Sequence, residues 1–295
     1  MSQIIFSKEE KLINSVLFKG KIDFDINHVN WEKIIKITSS HLVIPAFYYN
    51  SHKRNILKKF PNDFRKYIEK IFDLNLERNT ILKEEIDQIS KLFRKEKINH
   101  AFFKGSSLVL NGFFENIGER MISDIDILIP KADKLKAIRL LNKNMYFNNY
   151  GYVNWKTKAD TNFVNTEKLF GIDLHTNLFN NSDESLMNIN LMLEEIKRPN
   201  NINSFKPQHE YEYLIYNYQL YDYGNLKGGF SYRKLFDVFN ICNKHEINSE
   251  TVAKTESGIN FLTISNLFGV TRINIEKNNK LLQRIYMKRN YKIYK

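Results

Sequence analysis

Apolar positions recur at steps of three and four residues through the first third of the chain. Over residues 31–39 and again over 64–94 this spacing gathers apolar side chains on one face, as in Ile68, Ile71 and Phe72, then Leu82, Ile86, Ile89 and Phe93. The pattern predicts a helical N-terminal region, residues 1–98. Pro61 and Asn62 mark the start of its long helix, because proline is tolerated in a first turn but not in an interior. Near residue 99 the periodicity changes. Residues 100–104 read as a short strand, Gly105-Ser106-Ser107 as a turn with a capping residue, and 108–114 as a helix. Residues 122–129 alternate with a period of two up to Pro130, and 132–142 follow as a helix with Leu135, Ile138 and Leu141 on one side. Strands are expected at 150–155, 161–165 and 170–176, completing a mixed sheet with packed helices over residues 99–181. From 182 to 295 helical periodicity returns, at 210–221, 232–242 and 260–268, with Gly228-Gly229 as a turn between the first two. The expected class is α+β, with an α/β core between helical ends. No internal repeat, low-complexity tract or Pro/Gly/Ser linker interrupts it, so the chain reads as one compact unit or tightly packed subdomains.

Composition narrows this picture. With 295 residues, 42% of them hydrophobic, there is material for one large domain or two modest ones. The first twenty residues carry Lys8, Glu9, Glu10 and Lys11, and no apolar run approaches the roughly 18 to 20 residues of a membrane span, so a cytoplasmic protein without a membrane partner is expected. Cys242, the one cysteine, excludes an internal disulfide and a cysteine-based metal site. Its neighbours Phe236, Val238, Phe239 and Ile241 predict a buried thiol. The 45 Lys and Arg against 33 Asp and Glu give +12, which favours polyanionic partners: nucleotides, RNA or anionic headgroups. A bias toward Lys, Asn and Ile arising from nucleotide composition would give the same excess. Lys288, Arg289, Lys292 and Lys295 form the most concentrated basic stretch, and a solvated helix end has the same composition.

The candidate chemistry lies in the middle region. In Ser123-Asp-Ile-Asp-Ile-Leu-Ile129, residues two apart on a strand point the same way, which places Asp124 and Asp126 on one face and Ile125, Ile127 and Ile129 toward the core. Two adjacent carboxylates repel unless a cation neutralises them, and magnesium takes oxygen ligands that it shares with phosphates. A solvated edge strand or a calcium loop would also present Asp-x-Asp. Here the opposite face is too apolar for a calcium loop, and no glycine and distal glutamate follow at EF-hand spacing. Gly171-Ile-Asp-Leu-His175 supplies a third acid, Asp173, on another alternating strand. Gly105-Ser106, at the turn from strand to helix, would let backbone N–H groups approach a phosphate, to which Ser106 adds a hydroxyl. Neither a Walker-type loop nor Gly-x-Gly-x-x-Gly is present.

Lys104-Gly-Ser-Ser-Leu108, Gly118-Glu-Arg120, Ser123-Asp-Ile-Asp-Ile-Leu-Ile-Pro130 and Ile172-Asp-Leu-His175, in this order, resemble the bacterial family of uncharacterised nucleotidyltransferases within the DNA polymerase beta-like superfamily. Val43-Ile-Pro-Ala-Phe47 and Tyr232-Arg-Lys-Leu-Phe-Asp237 extend the resemblance over most of the chain. It implies a polymerase beta-like core and transfer of a nucleoside monophosphate from a nucleoside triphosphate, such as ATP, to an acceptor with release of pyrophosphate. In that scheme Gly105 and Ser106 hold the triphosphate, Asp124 and Asp126 bind two magnesium ions, and Asp173 binds the catalytic one and helps deprotonate the acceptor. Lys104 and Arg120 are candidate phosphate contacts, or else a solvated lysine and a structural ion pair. His175 shares the face of Asp173, as a pocket residue or a structural histidine. Arg233 and Asp237, four apart, read first as an intrahelical pair. The helix from Glu210 departs from the family pattern in its many tyrosines, which either stack on a substrate or, more simply, pack between helices. The acceptor is left open among RNA, a small molecule and a protein. The competing readings are a catalytically inactive nucleotide-binding or interaction protein, and a toxin-like RNA nucleotidyltransferase with an antitoxin partner.

Overall fold

The computed structural model describes residues 6–271 apart from 24, 149–160, 180–182, 197, 199–200, 223 and 225–229. The strand expected at 150–155, the Gly228-Gly229 turn and the basic stretch from Lys288 lie outside the described residues. In chain order the helices are α1 (Lys8–Leu17), α2 (Trp31–Ser40), α3 (Ile44–Lys53), α4 (Asn62–Lys95), α5 (Lys104–Leu110), α6 (Lys134–Lys143), α7 (Ile189–Glu194), α8 (Pro207–Tyr216), α9 (Tyr232–Lys244), α10 (Glu250–Ala253) and α11 (Glu256–Leu267). The strands are β1 (Ala101–Phe102), β2 (Asp124–Leu128), β3 (Phe147–Asn148), β4 (Thr161–Val164) and β5 (Gly171–His175). The class is α+β, and the chain divides into two compact units, Met1–Asp73 with Tyr211–Lys295, and Leu74–Glu210.

The first unit is helical. A reciprocal cap opens α1: the Glu10 N–H donates to Ser7 Oγ at 3.3 Å and the Ser7 N–H donates to Glu10 Oε2 at 2.9 Å. α1 packs on α2 and α3 and buries Leu12, Ile13, Val16 and Leu17. The Trp31 ring lies 4.9 Å from Phe60 and 4.8 Å from Phe64. The tyrosine-rich segment is not one continuous α-helix, because α8 passes at Tyr216 into a π-helical turn, Asn217–Tyr221. Tyr211, Tyr213 and Tyr216 are fully buried, and the Tyr211 hydroxyl meets Ser249 Oγ at 2.8 Å, so these rings serve packing. Cys242 is half-buried where full burial was expected, and burial pushes its thiol up to about 11.

The second unit holds the sheet, with strand order β1-β2-β5-β4-β3 among the described residues. β2 and β5 are parallel and the other pairs antiparallel. One face of the central pair is packed against the core: Ile125, Ile127, Ile172 and Leu174 lie on it and are all buried. Two local expectations are corrected. Gly105, Ser106 and Ser107 lie inside α5, and the reversal is made by Lys104, a non-glycine residue at φ 56°. A Cβ at 105 would crowd the Ile122 side chain, standing 3.1 Å and 3.2 Å from two of its carbons. In α6 the core face is Ala137 and Leu141, while Leu135 is 67% exposed. The side of the helix turned inward runs through Lys134, Ala137, Ile138 and Leu141, at steps of three and four residues, and Leu135 falls outside it. No helix among the described residues is long and apolar enough to cross a membrane.

Candidate active site

The parallel register of β2 and β5 sets Asp126 beside Asp173, Asp124 beside Gly171 and Leu128 beside His175. Side chains two apart on a strand share a face, so Asp126, Asp173 and His175 converge. The Phe103 N–H donates to the Asp126 carbonyl at 3.3 Å, which ties the end of β1 to β2. From the reversal that follows, the Lys104 side chain reaches back and Nζ stands 2.6 Å from Asp126 Oδ1. His175 Nε2 lies 2.9 Å from the same oxygen. On β4, Asn162 donates its amide to Asp173 Oδ1. The Phe103 ring meets the His175 ring edge to face at 5.0 Å, and Phe205 stacks on Phe103 at 5.1 Å, which fixes the imidazole from behind.

Charge divides unequally between the two acids. Burial alone would raise the Asp126 carboxyl, but the Lys104 charge and the His175 hydrogen bond outweigh it and hold this group at about 2. Asp173 is pushed up to about 6 by burial and by the negative charges of Asp126 and Asp124, against which the Asn162 amide and the more remote Lys104 charge are insufficient. The site therefore has an excess of carboxylate over cation. One ligand atom from each of Asp126, Asp173 and His175 falls within 4.8 Å of the others, and all three residues are buried. Two carboxylate oxygens and an imidazole nitrogen at this separation fit a divalent cation, which would also relieve the charge that raises Asp173. Asp124 is half-buried at the start of β2 and acts on Asp173 through its charge, outside that close trio.

The other expected site residues are placed as follows. Gly105 lies against Ile122. Ser106 is fully buried, and its hydroxyl has no hydrogen-bond partner among the described residues. Arg120 is buried on the segment leading into β2, where its guanidinium donates to the Met121 carbonyl. Sequence reasoning did not find Asn162 or Phe103. Asn162 stands opposite Asp173 in the β4–β5 ladder, a neighbour that emerges only once the strands are paired.

A mixed sheet whose parallel central strands present acids side by side, with a lysine at the start of the adjoining helix, is the core of a nucleotidyltransferase, here flanked in sequence by helical regions. The chain belongs to a family of uncharacterised nucleotidyltransferases, whose model matches residues 27–265. No curated protein and no solved structure matches the chain.

Proposed function

We propose that this protein transfers a nucleoside monophosphate from a nucleoside triphosphate to an acceptor hydroxyl and releases pyrophosphate. The observation that carries the reading is the buried pair of Asp126 and Asp173 on neighbouring parallel strands, with the Lys104 ammonium against one of them. Family membership supports it. In the reaction a bond forms between the acceptor oxygen and the α-phosphorus, and the bond from that phosphorus to the bridging oxygen breaks, so that pyrophosphate leaves with the electron pair. Asp124, Asp126 and Asp173 are the proposed holders of two magnesium ions, with His175 beside them. Bound magnesium would supply positive charge at the triphosphate and at the attacking and departing oxygens.

The chain's own residues bind, orient and move the proton. Asp173, beside Asp126 on the neighbouring strand, is the proposed acceptor of the proton of the acceptor hydroxyl. The Lys104 ammonium lies against Asp126, and a cation bound by the acids would let it turn toward a phosphate oxygen. Gly105, Ser106 and Arg120 complete the proposed triphosphate contacts, Ser106 through its unpartnered hydroxyl. The net charge of +12 favours a polyanionic acceptor such as RNA over a cationic small molecule. The test is incubation with magnesium and each of the four radiolabelled nucleoside triphosphates, with total RNA or with small metabolites. Label should move into one pool with release of pyrophosphate. No transfer, together with no nucleotide binding by calorimetry, would replace this reading with that of an inactive scaffold.

A further inference from the structure

Helix α4 meets the segments that lead into both acid-bearing strands through side chains that play no part in the chemistry above. The Asn75 amide donates to the carbonyls of Gly118 at 2.7 Å and Arg120 at 3.1 Å. One turn on, the Asn79 amide donates to those of Ile117 at 2.5 Å and Arg120 at 2.7 Å. A carboxamide nitrogen has two N–H groups, so both asparagines direct their full donor capacity at residues 117–120, and neither is more than 4% exposed. Between them Arg78 donates to the Ile122 carbonyl at 3.3 Å, two residues before β2, while its guanidinium lies over the Phe170 ring at 5.2 Å, immediately before β5. Farther along α4, Glu85 Oε1 accepts the Leu169 N–H at 3.0 Å. One rigid helix thus holds the leads into β2 and β5, the strands that carry Asp126 and Asp173.

We propose that Asn75, Arg78 and Asn79 are positioning residues, which set the separation of Asp126 and Asp173 by anchoring both leads to α4. This inference rests on the proposal that these acids bind a divalent cation. Metal ligation depends on ligand placement to within a few tenths of an ångström. Loosening the leads therefore weakens metal binding before it unfolds the sheet, whose central ladder continues through five residue pairs. A merely structural clamp would lower stability and leave the affinity of the folded protein unchanged.

The test is titration of the full chain with Mn2+, followed by electron paramagnetic resonance, for wild type, Asn79→Ala, Arg78→Met and Asn144→Ala. The last removes an asparagine amide that donates to the Leu140 carbonyl at 2.8 Å, away from both leads, and serves as a control. The proposal predicts Kd for Mn2+ raised about tenfold or more in Asn79→Ala and Arg78→Met, as when groups that orient metal ligands are lost, with Asn144→Ala unchanged. Wild-type affinity in both variants, with Mn2+ bound by wild type, would overturn the positioning role alone. Failure of wild type to bind Mn2+ would overturn the metal reading and this inference with it. If Asn79→Ala does not fold, Arg78→Met decides, because Arg78 is half-buried and methionine keeps most of its stem.

Discussion

Replacing Lys104 by methionine removes the ammonium from Asp126 while keeping most of the aliphatic stem. That ammonium stands 2.6 Å from a carboxylate whose side chain is 4% exposed. Deleting one member of a buried ion pair costs about 3 to 5 kcal/mol. Lys104 is itself 25% exposed, and His175 Nε2 remains 2.9 Å from the same oxygen, so a smaller loss, about 2 kcal/mol, is expected. For a domain of this size that lowers the unfolding midpoint by roughly 4 to 8 °C. A divalent cation reverses the comparison. In wild type it must displace the ammonium from Asp126, whereas in Lys104→Met it meets a carboxylate without that partner. The same 2 kcal/mol then returns as tighter binding, about thirtyfold in Kd. Thermal unfolding with and without Mn2+, together with direct titration, measures both halves. An unchanged metal-free midpoint, or weaker Mn2+ binding in the variant, would refute the view that Lys104 stands in for a cation.

Two further predictions concern stability. Gly105→Ala should cost about 1 to 3 kcal/mol by crowding Ile122, and less in an Ile122→Ala background, which a double-mutant cycle by urea unfolding would register; equal costs in the two backgrounds would show that the contact is not the cause. In the helical unit, burial raises the Glu9 carboxyl, but Lys33 Nζ at 2.8 Å and the Asn30 N–H at 3.2 Å outweigh it and hold the group at about 2, below its ordinary 4.5. The folded pKa is the lower one, so this contribution is complete above about 4.5 and disappears as pH falls toward 2. Glu9→Gln should therefore destabilise by about 1 to 2 kcal/mol at pH 7, a figure reduced for the half-exposed Lys33, and the deficit should close on acidification. A deficit that does not depend on pH would contradict the ion pair as its source.

The long helix was legible because its signal is repeated: spacing over many turns and Pro61 place it at 64–94, and it runs Asn62–Lys95. β2 and β5 were legible for the same reason, an alternation bounded by proline or glycine. Their adjacency was not, since nothing local states which strands pair or in which direction. The Asn75 and Asn79 anchors sit on the stripe between Phe72 and Leu82, at positions a pattern search reads as gaps in an apolar face. A buried asparagine at a core position is the signal that it holds backbone elsewhere. Gly105-Ser106-Ser107 reads as a turn by residue type, yet the turn belongs to Lys104, whose left-handed backbone its side chain does not announce. His175 was found as a neighbour of Asp173, but its approach to Asp126 depends on the register between strands.

The most direct test of the central claim compares wild type with Asp126→Asn, which removes charge and little volume, in transfer of α-phosphate label from a nucleoside triphosphate with magnesium present and then chelated. The account predicts label transfer and pyrophosphate release in wild type with magnesium, none after chelation, and none in a variant that still folds. Unimpaired transfer by Asp126→Asn, or transfer that survives chelation, would contradict the assignment of the buried acids as the metal-binding centre of the reaction.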